Sequence, residues 1–114
     1  NKYLAVVNEN GLWIKDKLDQ NFMIIHSERI ENNSLKKLVI TTYDNDFRNE
    51  KNIIADEALI SNNIWVLKDV IIFKSTKGIF EKKQFDSLKI DSIYDFEKIT
   101  SLFSNSDTIS RHNG

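Results

Sequence analysis

Two histidines and a scatter of carboxylates are the side chains in this sequence with the most chemistry to offer. His26 falls within an alternating apolar run and His112 in a polar C-terminal stretch. A zinc centre needs three or four converging ligands, and neither histidine has another ligand at the usual spacing. The chain has no cysteine, which excludes disulfides, thiolate catalysis and cysteine-based zinc sites. Asp56-Glu57 and Asp86 could be imagined as a carboxylate pair for glycoside chemistry, but no second signal accompanies them, and solvated charges on a sheet face are the ordinary explanation. A Ser-His-Asp relay would have to recruit His26 with a serine that no G-x-S-x-G motif identifies. Gly11, Gly78 and Gly114 lie too far apart for a phosphate-cradling loop. The residue types therefore point to no catalytic, cofactor or metal site. The aromatic residues say more: Trp13, Phe22, Trp65, Phe73, Phe80 and Phe85 are either ordinary core or, in part, the lining of a groove or lumen for an apolar ligand.

Composition narrows the partners. The chain has 114 residues, 40% hydrophobic and 29% charged, which suits one globular domain with one core. A formal net charge of -1 and a pI near 6.1 give no general reason to expect nucleic acid or an anionic membrane surface as partner. No run approaches the length of a membrane-spanning helix and no signal-peptide pattern is present. The chain opens at Asn1 rather than Met, which points to a segment of a longer protein.

The elements that must position these side chains read as strands. Asn1 to Asn10 is a lead-in. Gly11 to Asp16 is a short strand with Leu12 and Ile14 on one side and Trp13 on the other. Phe22 to Glu31 follows, with Phe22, Ile24, His26, Glu28 and Ile30 on one face and Met23, Ile25, Ser27 and Arg29 on the other. A tight turn at Asn32-Asn33-Ser34 leads into a strand from Leu35 to Asp44, with Leu38, Ile40 and Thr42 on one side. Asn52 to Ser61 fits a helix nearly as well as a strand; a strand is preferred, because Asn62-Asn63 then makes a two-residue hairpin.

That hairpin feeds Ile64 to Lys74, IWVLKDVIIFK, around which the other strands are organised. It reads as a central strand, apolar on both faces, with Trp65, Leu67, Ile71 and Phe73 on one and Ile64, Val66, Val70 and Ile72 on the other. Such a strand should be covered on both sides, by a second sheet, a lipid or a partner. Lys68-Asp69 interrupts it, and a bulge there would instead gather Trp65, Leu67, Val70 and Ile72 on one side; the pattern leaves both registers open. Ile79 to Ile90 suits an exposed edge guarded by Lys82, Lys83 and Lys89. The period then changes: Ile93, Phe96, Ile99 and Phe103 recur at helical spacing behind a Ser92/Asp95 start, giving an amphipathic helix over Ile93 to Phe103. Asp107 to Gly114 is a polar tail.

Taken in order, Gly11-Leu12-Trp13-Ile14-Lys15-Asp16, Phe22 with Ile25, Ser27-Glu28-Arg29-Ile30, the Leu35 to Asp44 strand, Ile54-Ala55 with Ala58, and Trp65-Val66-Leu67-Lys68-Asp69-Val70 resemble the periplasmic domain of the LptF/LptG permeases of the lipopolysaccharide exporter. The match covers roughly Asn10 to Ser75 and is closer to the LptG-like branch. The resemblance implies an all-β, jelly-roll-like antiparallel β-sandwich, closed or open, with a short C-terminal helix. It implies a single domain over residues 1–114, placed in the periplasm of a Gram-negative bacterium as part of an inner-membrane protein. Six or seven strands can be drawn, where a full jelly roll has eight. The implied role is a passive, non-catalytic conduit without cofactor, holding lipopolysaccharide by its acyl chains. The implied partners are the paralogous permease subunit, an LptC-like bridge protein and, through the full-length permease, a cytoplasmic ATPase, with no nucleic acid. Phe22, Ile24, Ile40, Trp65, Leu67, Ile71 and Phe73 are the expected lipid-lining residues. The alternative is a protein-interaction β-domain that docks neighbouring envelope proteins without touching lipid.

Overall fold

The computed structural model describes residues 4–18 and 21–92, together with 97, 99 and 101. Seven strands form one antiparallel sheet in the order of the chain: β1 (Leu4–Asn8), β2 (Gly11–Leu18), β3 (Asn21–Glu31), β4 (Ser34–Tyr43), β5 (Asn49–Ser61), β6 (Ile64–Thr76) and β7 (Ile79–Asp91). The lead-in therefore contains a strand. The segment from Asn52 is a strand rather than a helix, since Asn62-Asn63 closes a two-residue loop with Asn62 in the left-handed conformation at φ 55°. Asn32 at φ 56° does the same between β3 and β4, and Lys77-Gly78, both at positive φ, joins β6 to β7. Asparagine and glycine are the residues that enter this region at least cost.

A transverse crease organises the sheet. In β6 the buried residues are Trp65, Leu67 and Val70, so two successive residues, Lys68 and Asp69, turn outward between Leu67 and Val70. Asp69 makes this possible by taking φ 54°. The same double step recurs at the same level in neighbouring strands. Leu35 and Leu38 flank Lys36-Lys37 in β4, where Lys37 has φ 56°, and Ala55 and Ala58 flank Asp56-Glu57 in β5. In β3, Ser27 is buried, Glu28-Arg29 are exposed and Ile30 packs against the core. Because β3 to β7 reset together, pairing stays one to one: Arg29, Lys36, Glu57, Lys68 and Ser87 lie opposite one another on one side of the crease, and Ser27, Leu38, Ala55, Val70 and Phe85 on the other. The buried Ser27 hydroxyl donates toward the carbonyl oxygens of Lys36 at 2.8 Å and Arg29 at 3.0 Å, satisfying backbone acceptors that the crease disturbs.

The crease corrects two expectations. The bulged register applies, so Trp65, Leu67, Val70 and Ile72 share the inner face, whereas Ile71 and Phe73 face out. Among the described residues β6 is then covered on one face only, and it is an interior strand next to the β7 edge while β4 holds the centre. Ile30 likewise leaves the face of Phe22, Ile24 and His26 and joins the inner side.

Bending at a line of phase resets lets one sheet fold over on itself, as corner bends do in sandwiches. Ser92, just past β7, is buried and donates from its hydroxyl to the Oδ2 of buried Asp16 on β2 at 3.2 Å. Its backbone N–H donates to the Asn63 carbonyl at 2.9 Å. The far end of β7 thereby lies over β2 and β3, although four strands separate β7 from β2 in the sheet. The core sits between the two halves and includes Leu12, Ile14, Ile25, Leu38, Trp65 and Leu67, each at most 1% exposed. The architecture is an open, jelly-roll-like all-β fold made from one sheet. Of the expected C-terminal helix, Glu97, Ile99 and Ser101 are helical, and Ile99 is fully buried in the core. Ile93, Phe96, Phe103 and the polar tail lie outside the described residues.

Gly11 stands where the β1–β2 turn meets β3. It has φ 122°, and a Cβ there would come 2.2 Å from the Ser27 carbonyl oxygen. Gly11→Ala is expected to cost about 2–3 kcal/mol, from the strained φ together with the displaced backbone. Urea denaturation of the purified chain measures this, and a midpoint unchanged from wild type would contradict it.

Candidate functional site

The charges set aside by the crease form a belt on the outer face. Lys36 donates to Glu57 at 2.7 Å and Lys37 to Asp56 at 2.7 Å. The hydrogen bond from Lys37 is the main reason the Asp56 carboxyl lies below its usual range, and the hydrogen bond from Lys36 does the same for Glu57, with Ser34 adding to it. A carboxylate whose pKa is depressed by folding contributes stability that is present above its unfolded pKa and lost as pH falls through the folded value. Thermal stability should therefore fall as pH is lowered below about 4. The loss should be smaller in Lys36→Met/Lys37→Met, and high salt should weaken the effect, more for the exposed Lys37–Asp56 pair than for the half-buried Lys36–Glu57 pair. Melting curves across this pH range, with and without salt, test the pattern; equal acid sensitivity in the variant would contradict it.

Below the belt, the outer face carries an apolar and aromatic row in which Val6, Trp13, His26, Val39, Ile54 and Ile71 face one another across successive strands. His26 stacks on Trp13 with ring centroids 3.9 Å apart, and its Nε2 lies 3.2 Å from the Asn10 carbonyl oxygen. Phe22 stacks on Tyr43 at 5.0 Å and meets Phe47 edge-on at 5.4 Å, with the Lys15 ammonium 4.9 Å from its ring. Among the described residues, no group of three or more His, Asp or Glu side chains could hold a metal ion. Asp56 and Asp86 lie on the crease row in β5 and β7 with Asp69 between them, and Asp56 is held by Lys37.

The inner face differs between its two halves. Around Trp65 and Leu67, both 0% exposed, the chain fills its own interior. Toward the other end the fold opens into a groove of about 520 Å³. Its apolar wall is Met23, Ile40, Ile53 and Ile90, Phe22 stands at its rim, and Glu50 and Lys51 mark its polar mouth. The sheet register builds this wall: Ile25, Ile40, Ile53 and Ile72 form one continuous inward row across β3 to β6, and Met23, Thr42 and Lys51 form the next. Ile90 reaches the groove because the crease folds β7 over. A shift between Thr42 and Tyr43, where Asn49 rather than Glu50 faces Tyr43, loosens β4 from β5 at the mouth.

The sequence-predicted lining residues are thus divided. Ile40 and Phe22 line the groove; Trp65 and Leu67 share its face but lie in the filled half; Ile24, Ile71 and Phe73 are on the outer face. Met23, Ile53 and Ile90 were not among them. The signal for Ile53 was available, since counting back from the Asn62-Asn63 hairpin places it opposite Ile72. Nothing in the local pattern could have brought Ile90 to Met23.

An inward apolar wall that stays open to solvent at one end offers non-directional attraction to an apolar chain and no fixed set of hydrogen bonds. A model of the lipopolysaccharide export system permease LptF/LptG family matches residues 1–113. Comparison with curated proteins gives no match. The chain belongs to the LptF/LptG family of lipopolysaccharide export permeases, whose work is transport at the inner membrane.

Proposed function

We propose that the whole chain is one periplasmic domain of such a permease, and that its groove is a segment of the passage that carries lipopolysaccharide toward the outer membrane. The observation that supports this most is the groove itself, with Met23, Ile40, Ile53 and Ile90 around about 520 Å³ of open space. Each acyl methylene buried there would gain about 0.8 kcal/mol, and because the gain is nearly the same at every position along the wall, the chain can slide. The domain does no catalysis and needs no cofactor; work comes from a cytoplasmic ATPase acting through the full-length permease. The free edges, β1 and β7, are where the paralogous subunit and an LptC-like bridge protein would add their own strands through backbone hydrogen bonds. We read the chain as LptG-like rather than LptF-like, a reading supported by its Gly11-Leu12-Trp13-Ile14-Lys15-Asp16 and Trp65-Val66-Leu67 stretches.

Cysteines introduced at Met23 and Ile90, on facing walls of the groove in a chain with no cysteine of its own, test the passage. Bridging them with a bifunctional thiol reagent should halt lipopolysaccharide export in cells, while either single cysteine treated alike leaves export intact. Undiminished export with the bridge in place would remove the groove from the route.

One observation favours a second reading. The half of the interior around Trp65 and Leu67 is filled, and apolar residues line the outer face, as expected of a module that docks neighbours without touching lipid. In that case the bridge across the groove would be harmless, and substitutions at Val39 and Ile54 would be the damaging ones.

A further inference from the structure

The hairpin joining β6 to β7 runs past the rest of the sheet. Lys74 is the last β6 residue paired with β5, through Lys51, whereas Ser75 and Thr76 pair only with β7, through Phe80 and Ile79. Residues 75–80 therefore form a two-stranded finger, with the start of β5 at Asn49 and Glu50 close to its base but not paired with it. Its apolar side chains are among the most exposed in the described residues, with Phe80 at 84% and Ile79 at 67%. Phe73, at 39% exposed, lies diagonal to Phe80 on the same side. The charges around them have one dominant sign. Between residues 73 and 83, Lys74, Lys77, Lys82 and Lys83 stand against Glu81, and Glu50 of β5 lies beside them, a local +2 in a chain whose total is -1. Whole-chain charge conceals this patch.

Exposed apolar side chains at a tip cost free energy in water unless something covers them. Lysines behind an aromatic tip match the layering of a bilayer surface, in which anionic headgroups lie outside and hydrocarbon below. A soluble anion would satisfy the lysines but leave Phe80 and Ile79 wet. We propose that the β6–β7 finger is a membrane-surface contact, inserting Phe80 and Ile79 among the lipids of an anionic phospholipid bilayer while the lysines engage its phosphates. The contact anchors one end of the domain at the membrane and does not depend on what the groove carries.

Vesicles of phosphatidylcholine alone and of phosphatidylcholine mixed equally with phosphatidylglycerol provide the test, with the 114-residue chain as the binding protein. The chain should sediment with the anionic vesicles and not the neutral ones, and high salt should release it. Lys82→Gln/Lys83→Gln should weaken binding about 25-fold, at about fivefold for each lysine near an anionic surface. Phe80→Ser should weaken it about tenfold or more while leaving the melting temperature unchanged, since Phe80 makes no core contact. Lys68→Gln/Lys89→Gln, away from the finger, should stay within about twofold of wild type. An environment-sensitive dye on Thr76→Cys should report a less polar setting on binding, and the same dye on Asn63→Cys, at the opposite end of β6, should not. Equal binding to both vesicle types, or equal loss in the Lys68/Lys89 control, would overturn the proposal. So would finger variants that bind vesicles normally but lose cross-linking to a neighbouring protein subunit, which would make the finger a protein contact.

Discussion

Trp65→Ala should be the most destabilising single truncation in the sheet, costing about 3–5 kcal/mol, while Trp13→Ala should cost about 1 kcal/mol or less. Both are tryptophans in strands, and the difference lies in what surrounds them. Trp65 is 0% exposed between the two folded-over halves, so its removal leaves a cavity that Leu67, Ile60 and Ile90 cannot collapse into without moving strands. Trp13 is 42% exposed on the outer face, where it stacks on His26. A domain of this size has a total stability of only about 5–15 kcal/mol, so Trp65→Ala removes a large part of it. Chemical denaturation of the two variants measures the contrast. Similar losses at the two positions would mean that the interior around Trp65 is not filled as described.

The second large effect is expected at the crease. Deleting Asp69 leaves β6 one residue short at the crease while β5 and β7 keep both of theirs, so every residue beyond it slips by one against its partners. If the pairing were kept, Val70 and Ile72 would take outward positions and Ile71 and Phe73 inward ones; if the faces were kept, the one-to-one ladder with β5 and β7 would break. The deletion should abolish cooperative unfolding. Substitutions at the same position separate phase from side chain. Asp69→Val keeps the count but forces a β-branched residue to φ 54°, at a cost of about 1–2 kcal/mol. Asp69→Gly relieves the strain of this conformation and should be neutral or slightly stabilising. Thermal melts of the three variants give the ranking. A deletion variant that still melts cooperatively near the wild-type temperature would show that the phase reset is dispensable.

These two positions also explain which parts of the fold the sequence made legible. Strands and hairpins were readable because their causes are local: alternation sets Leu12 and Ile14 against Trp13, and asparagine or glycine at the turns takes the left-handed conformation. The crease was visible at Lys68-Asp69 as an interruption, but one strand alone could not decide between two registers. The answer lies across strands, in the charge pairs at Lys36-Lys37 and Asp56-Glu57 that interrupt β4 and β5 at the same level. Reading those doublets together with Glu28-Arg29 and Asp86-Ser87 would have placed the bend. The candidate site was only partly legible for the same reason. Strict alternation put Ile71 and Phe73 with Trp65, and the reset at Asp69 separates them. The contact of Ile90 with the groove, and of Ser92 with Asp16, depends on the sheet folding over, a long-range event with no signature in the residues concerned.

The basic finger is a different case, because two of its lysines, Lys82 and Lys83, read in the sequence as guards of an exposed edge. Lysines on a free edge strand discourage unwanted pairing. That role accounts for Lys82, Lys83 and Lys89 and leaves Ile79 and Phe80 at the tip unexplained.

Adjacent residues on β5 offer the most direct test of the central claim that the inner face receives acyl chains. Ile53 is 5% exposed and lines the groove, whereas Ile54 is 41% exposed on the opposite face. A photo-crosslinking amino acid placed at each in turn, in cells with a working exporter, differs only in which face it samples. The account predicts a lipopolysaccharide adduct at Ile53 well above that at Ile54 and at the edge position Lys82. Equal yields at all three, or an adduct at Ile54 alone, would contradict it.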